Sequence, residues 1–244
     1  MNKKKIVIFT GAGISAESGI STFRDNNGLW ENHRIEDVCT LNGWRKDREK
    51  VLDFYNARRR QMPTVEPNDA HKALVKLAEF NDVTIVTQNV DDLHERAGST
   101  NIIHLHGELT KARGSFGNGN PLQVINPVYD IGYNDINIGD KCEATDSQLR
   151  PHIVWFGEYP FEVHKAKKAF EEADIVLVIG TSLQISYTLS FFDNLKKDAK
   201  IIYIDPSPVD YLTNMGLTVE YVRKGAVEGV AEIVERIINE EKEK

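Results

Sequence analysis

The sequence predicts an α/β fold, a doubly wound Rossmann-like parallel sheet carrying a small inserted module, and three observations predict it. Six short segments, at 6–10, 83–87, 102–104, 175–179, 201–204 and 219–222, are rich in β-branched residues and mostly lack polar alternation. Strands buried on both faces of a parallel sheet have this texture. Helical patterns separate several of them, and a glycine loop follows the first strand directly, where α/β sheets place a phosphate-binding turn.

In chain order, the first strand, Ile6-Val7-Ile8-Phe9-Thr10, runs into Gly11-Ala12-Gly13-Ile14-Ser15-Ala16, whose small residues let backbone N–H groups approach a pyrophosphate at a helix start. The stretch 18–33 is irregular, and loops of that length inside a domain usually serve function. Helices are expected at 47–62, 69–80, 161–172 and 227–241, the last with apolar residues at Val230, Ile233, Val234, Ile237 and Ile238. Between 114 and 150 the texture turns to Gly, Asn, Asp and Pro, with a hint of strand at 128–133, so residues 112–152 read as a module inserted in one 1–244 domain.

A chain of 244 residues with 41% hydrophobic and 27% charged residues fits one soluble domain, and no apolar run could span a bilayer. Residues 1–5 include three lysines, but the apolar run 6–9 is too short for a secretory signal, so a cytoplasmic location is expected. Net charge −7 argues against a dominant nucleic-acid surface, and the chain is compatible with a monomer, its oligomeric state not being legible in one sequence. The two cysteines, Cys39 and Cys142, support neither a disulfide framework nor a thiolate metal site.

A hydride-transfer Rossmann enzyme would continue from the glycine loop through a helix to a strand ending in an acidic residue. Here the chain instead enters the polar loop Glu17-Ser18-Gly19-Ile20-Ser21-Thr22-Phe23-Arg24-Asp25. A cofactor held for another chemistry fits that better.

Read together, Gly11-Ala12-Gly13-Ile14-Ser15, Thr22-Phe23-Arg24-Asp25, Thr87-Gln88-Asn89-Val90-Asp91-Asp92-Leu93-His94, His104-Leu105-His106-Gly107-Glu108, Val154-Trp155-Phe156-Gly157-Glu158 and Gly180-Thr181-Ser182 resemble the sirtuin family, in family order. The resemblance covers nearly the whole chain and weakens in the insert. It implies a protein-lysine deacylase that consumes NAD: the acyl oxygen attacks the ribose anomeric carbon as nicotinamide leaves, and the sugar hydroxyls take over the acyl group. His106 matches the family's base, and an imidazole titrating near neutrality suits the deprotonation of a ribose hydroxyl. The resemblance further implies that Gln88 touches the ribose, Asn89 orders a water and Asp91 holds the nicotinamide amide, while Gly11, Ala12, Gly13, Ser15, Phe23 and Arg24 also meet NAD. Adenosine contacts fall to Gly180, Thr181, Ser182, Tyr203, Ile204, Asp205 and Ala226. His94 and His104 compete for the base's role; His104, expected to alternate with His106 on one strand, reads as a packed residue, and Asp92 as a helix cap.

Tyr55 and Arg58, three residues apart on a helix, look like the Tyr-x-x-Arg pair of sirtuins that remove succinyl or malonyl groups, because a guanidinium fork matches a carboxylate. Arg59 and Arg60 read as solvated or salt-bridged. Val154, Trp155, Phe156, Gly157 and Glu158 are expected to form an extended edge on which an acyl-lysine protein or peptide adds as a strand. Sirtuins usually carry two cysteine pairs holding one zinc in the insert. Here Ala112-Arg113-Gly114-Ser115 stand where the first pair belongs, so zinc is not expected, and packing of Tyr129, Ile131, Tyr133, Ile136 and Ile138 is left to order the module. Two alternatives stay open: a protein ADP-ribosyltransferase on the same scaffold, and a non-catalytic sensor of NAD metabolites.

Overall fold

The computed structural model describes residues 3–22, 29–30, 33–115 and 127–242. Its strands are β1 (Lys5–Thr10), β2 (Leu29–Trp30), β3 (His33–Arg34), β4 (Asp82–Thr87), β5 (Ile102–His104), β6 (Gly107–Gly114), β7 (Val128–Asp130), β8 (Leu149–Ile153), β9 (Ile175–Ile179), β10 (Lys200–Ile204) and β11 (Val219–Val222). Its α-helices are α1 (Gly13–Ala16), α2 (Ile35–Val38), α3 (Leu41–Lys46), α4 (Arg48–Gln61), α5 (Asp69–Phe80), α6 (Leu93–Ala97), α7 (Val163–Glu172), α8 (Tyr211–Asn214) and α9 (Ala226–Lys242). Among the described residues no helix is long and apolar enough to cross a membrane.

All six predicted strands form, in one parallel sheet of order β11-β10-β9-β1-β4-β5. Alternate residues of each central strand serve opposite cores, which is why their sequences show no polar alternation. Ile6 and Ile8 face α5 and α9 with Leu177, Ile204, Leu74 and Ile233. Val7 and Phe9 face the other side, where Phe170 of α7, Phe191 and Phe192 surround the Phe9 ring edge-on at 5.8, 6.0 and 6.4 Å. The chain leaves β1 toward β4 and β5, then returns on its other side through β9, β10 and β11. The strand order therefore reverses between β1 and β9, and α/β sheets bind ligands at the carboxyl end of such a switch point.

The module is a three-stranded antiparallel sheet, β7-β6-β8, whose β6 begins at Gly107, one residue beyond His106. Two expectations are corrected here. His106 does not share a strand with His104, because β5 ends at His104 and His106 sits in the bend before β6. The five apolar residues expected to order the module also divide: Ile136 is buried and Ile131 packs against the core, but Tyr133 and Ile138 are exposed.

Helix α4 also anchors the module by side-chain bonds to its backbone. The Asn56 side-chain amide donates to the Ile136 carbonyl and accepts from its N–H, at 2.9 and 3.0 Å. Arg59 Nε donates to the Leu109 carbonyl at 2.8 Å. Arg59 is fully buried, contrary to the solvated role read from sequence, while Arg60 is salt-bridged to Asp135 as expected.

Candidate active site

The glycine loop after β1 and the loop after β9 press directly on each other. Gly11 donates to Ile179 O at 3.0 Å and Gly13 to Gly180 O at 2.8 Å. A Cβ on Gly13 would stand 2.5 Å from Gly180 Cα, and Gly180 itself has φ +59°. These glycines are needed where two backbones touch at the switch point; the N–H groups of Gly11 and Gly13 serve that contact.

Around this junction the β4 end places its polar residues. Ser15 Oγ donates to Asp91 Oδ2 at 3.0 Å and accepts from Asn89 Nδ2 at 3.3 Å. The Asn89 N–H donates to Thr87 Oγ1, and Gln88 Nε2 donates to Thr181 Oγ1 at 2.9 Å. Asp91 is buried, and burial pushes its carboxyl up to about 6 despite bonds from Leu93 N–H and Ser15. It is Asp91 Oδ1 that accepts the Leu93 N–H, so the capping role expected of Asp92 falls to Asp91; Asp92 instead accepts from the Tyr133 hydroxyl.

His106 is held at both nitrogens. Nδ1 lies 2.9 Å from the Gln88 carbonyl, which can only accept, so Nδ1 carries the proton and Nε2 the lone pair. The Tyr187 hydroxyl lies 2.8 Å from Nε2 and donates to it. Burial pulls the His106 imidazole down to about 4, against the bond to Gln88. It is therefore a neutral acceptor at pH 7 rather than a group titrating near neutrality.

The competing histidines have other occupations. His94 Nε2 contacts Thr10 Oγ1 at 3.1 Å, its ring meets His71 edge-on at 5.0 Å, and burial pulls it to about 3. His104 Nε2 is bound to Glu95 at 2.6 Å, and that carboxylate outweighs burial to raise its pKa.

A pH dependence of stability follows. Burial lowers His71, His94, His106 and His152 to about 4, 3, 4 and 4, so between those values and 6.5 the unfolded chain binds more protons and stability falls as pH falls. Each fully buried ring costs about 1.4 kcal/mol per pH unit in that window. Asp91, raised to about 6, and His104, raised by Glu95, run oppositely. Urea unfolding at pH 5.0 should show markedly lower stability than at pH 7.0; a flat profile would contradict the assignment.

Tyr55 and Arg58 occupy different surroundings although they share α4. The Tyr55 ring is buried, and its hydroxyl accepts from Trp155 Nε1 at 3.0 Å with Cys39 Sγ at 3.4 Å. Arg58 lines a cavity of about 450 Å³ with Lys50, Phe54, Asp47, Glu49 and Asp53, and its guanidinium stands 4.9 Å from the Phe54 ring.

The segment 154–158 is not the free strand edge expected of it. Val154 N–H donates to His106 O, Phe156 N–H to Cys39 O, Glu158 N–H to Trp155 O, and Trp155 N–H to the Glu158 carboxylate. What the segment offers a partner is the half-exposed Phe156 ring and the bare Gly157, at φ +90° with nothing near its missing side chain.

Glu158 is a keystone that sequence reading assigned to substrate. Arg150 clasps both its oxygens at 2.7 and 2.9 Å, Arg113 reaches it at 3.4 Å, and Arg150 also lies 3.3 Å over the Trp155 ring. The cluster was missed because it joins β6, β8 and a loop, with no spacing signal. Glu158→Gln breaks a buried ion pair and is expected to destabilise the fold by about 3 kcal/mol in urea unfolding; an unchanged midpoint would refute the keystone role.

Donor chemistry here does not fit a four-ligand zinc site. Cys39 lies against Tyr55 and Cys142 against Tyr129, in different parts of the molecule, and Ala112 and Arg113 are strand residues of β6.

Of the residues expected to meet adenosine, Thr181 is buried at the junction, Asp205 Oδ1 accepts the Ser207 N–H, and Ala226 opens α9, whose Val227 N–H is taken by Glu17. Tyr203 is fully buried, with its hydroxyl spent on the Thr181 carbonyl, so it supports the loop from below and does not face a ligand directly. Phe23 and Arg24 lie outside the described residues. Gly11, Gly13, Ser15, Gln88, Asn89, Asp91, His106 and Thr181 do come together, as their motifs predicted.

Comparison with known proteins agrees with this geometry. The Sir2 family pattern matches residues 11–187. A NAD-dependent protein deacylase of Bacteroides thetaiotaomicron is 46% identical over 235 residues, covering 96% of this chain and 98% of that protein. One of Helicobacter pylori, described in the same words, is 47% identical over 235 residues, with the same coverage of 96% and 98%. The solved structure of a Sir2 homologue in complex with NAD superposes with a TM-score of 0.81 at 36% identity, covering 98% of this chain and 91% of that one. The chain belongs to the Sir2 family, the sirtuins.

Proposed function

We propose that this sirtuin, an NAD-dependent protein deacylase, removes acyl groups ending in a carboxylate, succinyl and malonyl, and also acetyl, from lysine side chains. The observation that carries the reading is the Tyr55 hydroxyl. The indole N–H of Trp155 can only donate and holds the phenol oxygen at 3.0 Å, and a hydroxyl that accepts one bond can still donate another, to a carboxylate. Burial holds the phenol pKa well above its usual value, so it stays a donor at pH 7. Arg58, one turn on and lining the neighbouring cavity, would turn its guanidinium toward the same carboxylate when the acyl group is bound.

NAD supplies the chemistry: its ribose carries the leaving nicotinamide and receives the acyl group, giving nicotinamide and O-acyl-ADP-ribose. Ser15, Gln88, Asn89, Asp91 and Thr181 would hold it at the switch point, with Gly180, Ser182, Ile204, Asp205 and Ala226 beside them. His106 is the base for the ribose hydroxyl, with Nε2 the position its bond to Gln88 leaves basic. The acylated chain meets the 154–158 segment beside His106, through Phe156 and Gly157.

One peptide carrying succinyl-, malonyl- or acetyl-lysine, assayed with NAD, tests the acyl class. All three should be consumed; turnover of acetyl-lysine alone would overturn it.

A further inference from the structure

We propose that Tyr187 is a second catalytic residue, passing the proton of the reacting ribose hydroxyl to His106. The inference rests on the deacylase reading of the site and adds a group that reading does not use.

A neutral imidazole protonated at Nδ1 has a single lone pair, at Nε2. In His106 that lone pair receives the Tyr187 hydroxyl at 2.8 Å. A ribose hydroxyl can reach Nε2 only by expelling the phenol or by acting through it. The phenol is poorly placed to leave. Its ring packs edge-on against Phe191 at 5.8 Å and against His106 at 6.1 Å, and its backbone carbonyl accepts from Ser190 Oγ at 2.7 Å. It belongs to a wall of the second core, beside Leu183 and Phe192.

The phenolic oxygen, while donating, retains acceptor capacity for the ribose hydroxyl. As the ribose oxygen bonds to the acyl carbon, whose π pair moves to the lysine nitrogen, the ribose O–H bond breaks and its proton moves to the Tyr187 oxygen, while the proton that Tyr187 carried moves to His106 Nε2. Tyr187 ends as it began, a neutral phenol. His106 ends as an imidazolium whose Nδ1–H stays on the Gln88 carbonyl. Burial pushes the phenol's pKa up, which suits a group that transmits a proton without being left as the phenolate.

Tyr187→Phe keeps the ring and removes the relay. Deacylation turnover should fall about 100-fold, the scale of a positioned acid–base group. Exchange of free nicotinamide into NAD on the acyl peptide, which precedes the proton transfer, should stay within about twofold of wild type. Combined with His106→Ala, the variant should be no slower than His106→Ala alone, because both act on one proton path. Turnover equal to or above wild type would overturn the relay, since the phenol would then be idle or in the way. Equal loss of exchange and deacylation would overturn it too, by showing that the hydroxyl only shapes the site. A wild-type chain inert toward NAD and every acyl peptide would sink the deacylase reading and this inference with it; an active wild type with an unaffected variant sinks the relay alone.

Discussion

Replacing Arg58 with alanine is expected to lower kcat/KM for succinyl- and malonyl-lysine peptides about 100-fold, while changing it for acetyl-lysine less than about threefold. The size follows from the charges around the cavity. Asp47, Glu49 and Asp53 line it with Arg58 and Lys50, so an anionic acyl group reaching Arg58 depends on the guanidinium to offset carboxylates that already outnumber the cations. A charge-assisted bidentate bond lost in a half-buried setting is worth about 3 kcal/mol, the stated 100-fold. Tyr55→Phe removes one hydrogen bond and should cost about tenfold on the same substrates. Parallel losses on succinyl and acetyl peptides would remove Arg58 from acyl recognition.

His106→Ala should abolish most deacylation, by about 1,000-fold, for every acyl group alike. The pH profile carries the sharper expectation. With the imidazole near 4, the neutral base is the dominant form throughout pH 5.5–8, so the acid limb of kcat/KM assigned to His106 should lie below pH 5. A limb centred near 6.5 that vanishes in the variant would show the base to be far more hydrated than its position beside Gln88 and Tyr187 implies.

Much of this molecule is legible in the chain because its physics is local. Strands β5, β9 and β11 and helix α5 begin and end at the residues their patterns predict, since doubly buried strands cannot alternate and amphipathic helices must. The polar residues after β1, β4 and β9 converge because a parallel sheet brings carboxyl ends together. What stayed hidden depends on contacts between distant segments. Arg58, Arg59 and Arg60 look alike in sequence, yet one lines a cavity, one is buried under the module and one pairs with Asp135. Glu158 sits in a substrate-like motif, but its carboxylate is claimed by Arg150, 8 residues away, and Arg113, 45 away. Tyr187 lies in the short-pitch stretch Ser186–Phe192, which has no apolar periodicity to announce that its hydroxyl meets His106, 81 residues distant.

Incubating the protein with NAD and a succinyl-lysine peptide, then weighing the products, tests the central claim most directly. The peptide should lose the succinyl mass while nicotinamide and O-succinyl-ADP-ribose appear in equal amounts. A peptide or protein that instead gains the mass of ADP-ribose, or NAD left intact with succinyl, malonyl and acetyl substrates, would contradict it.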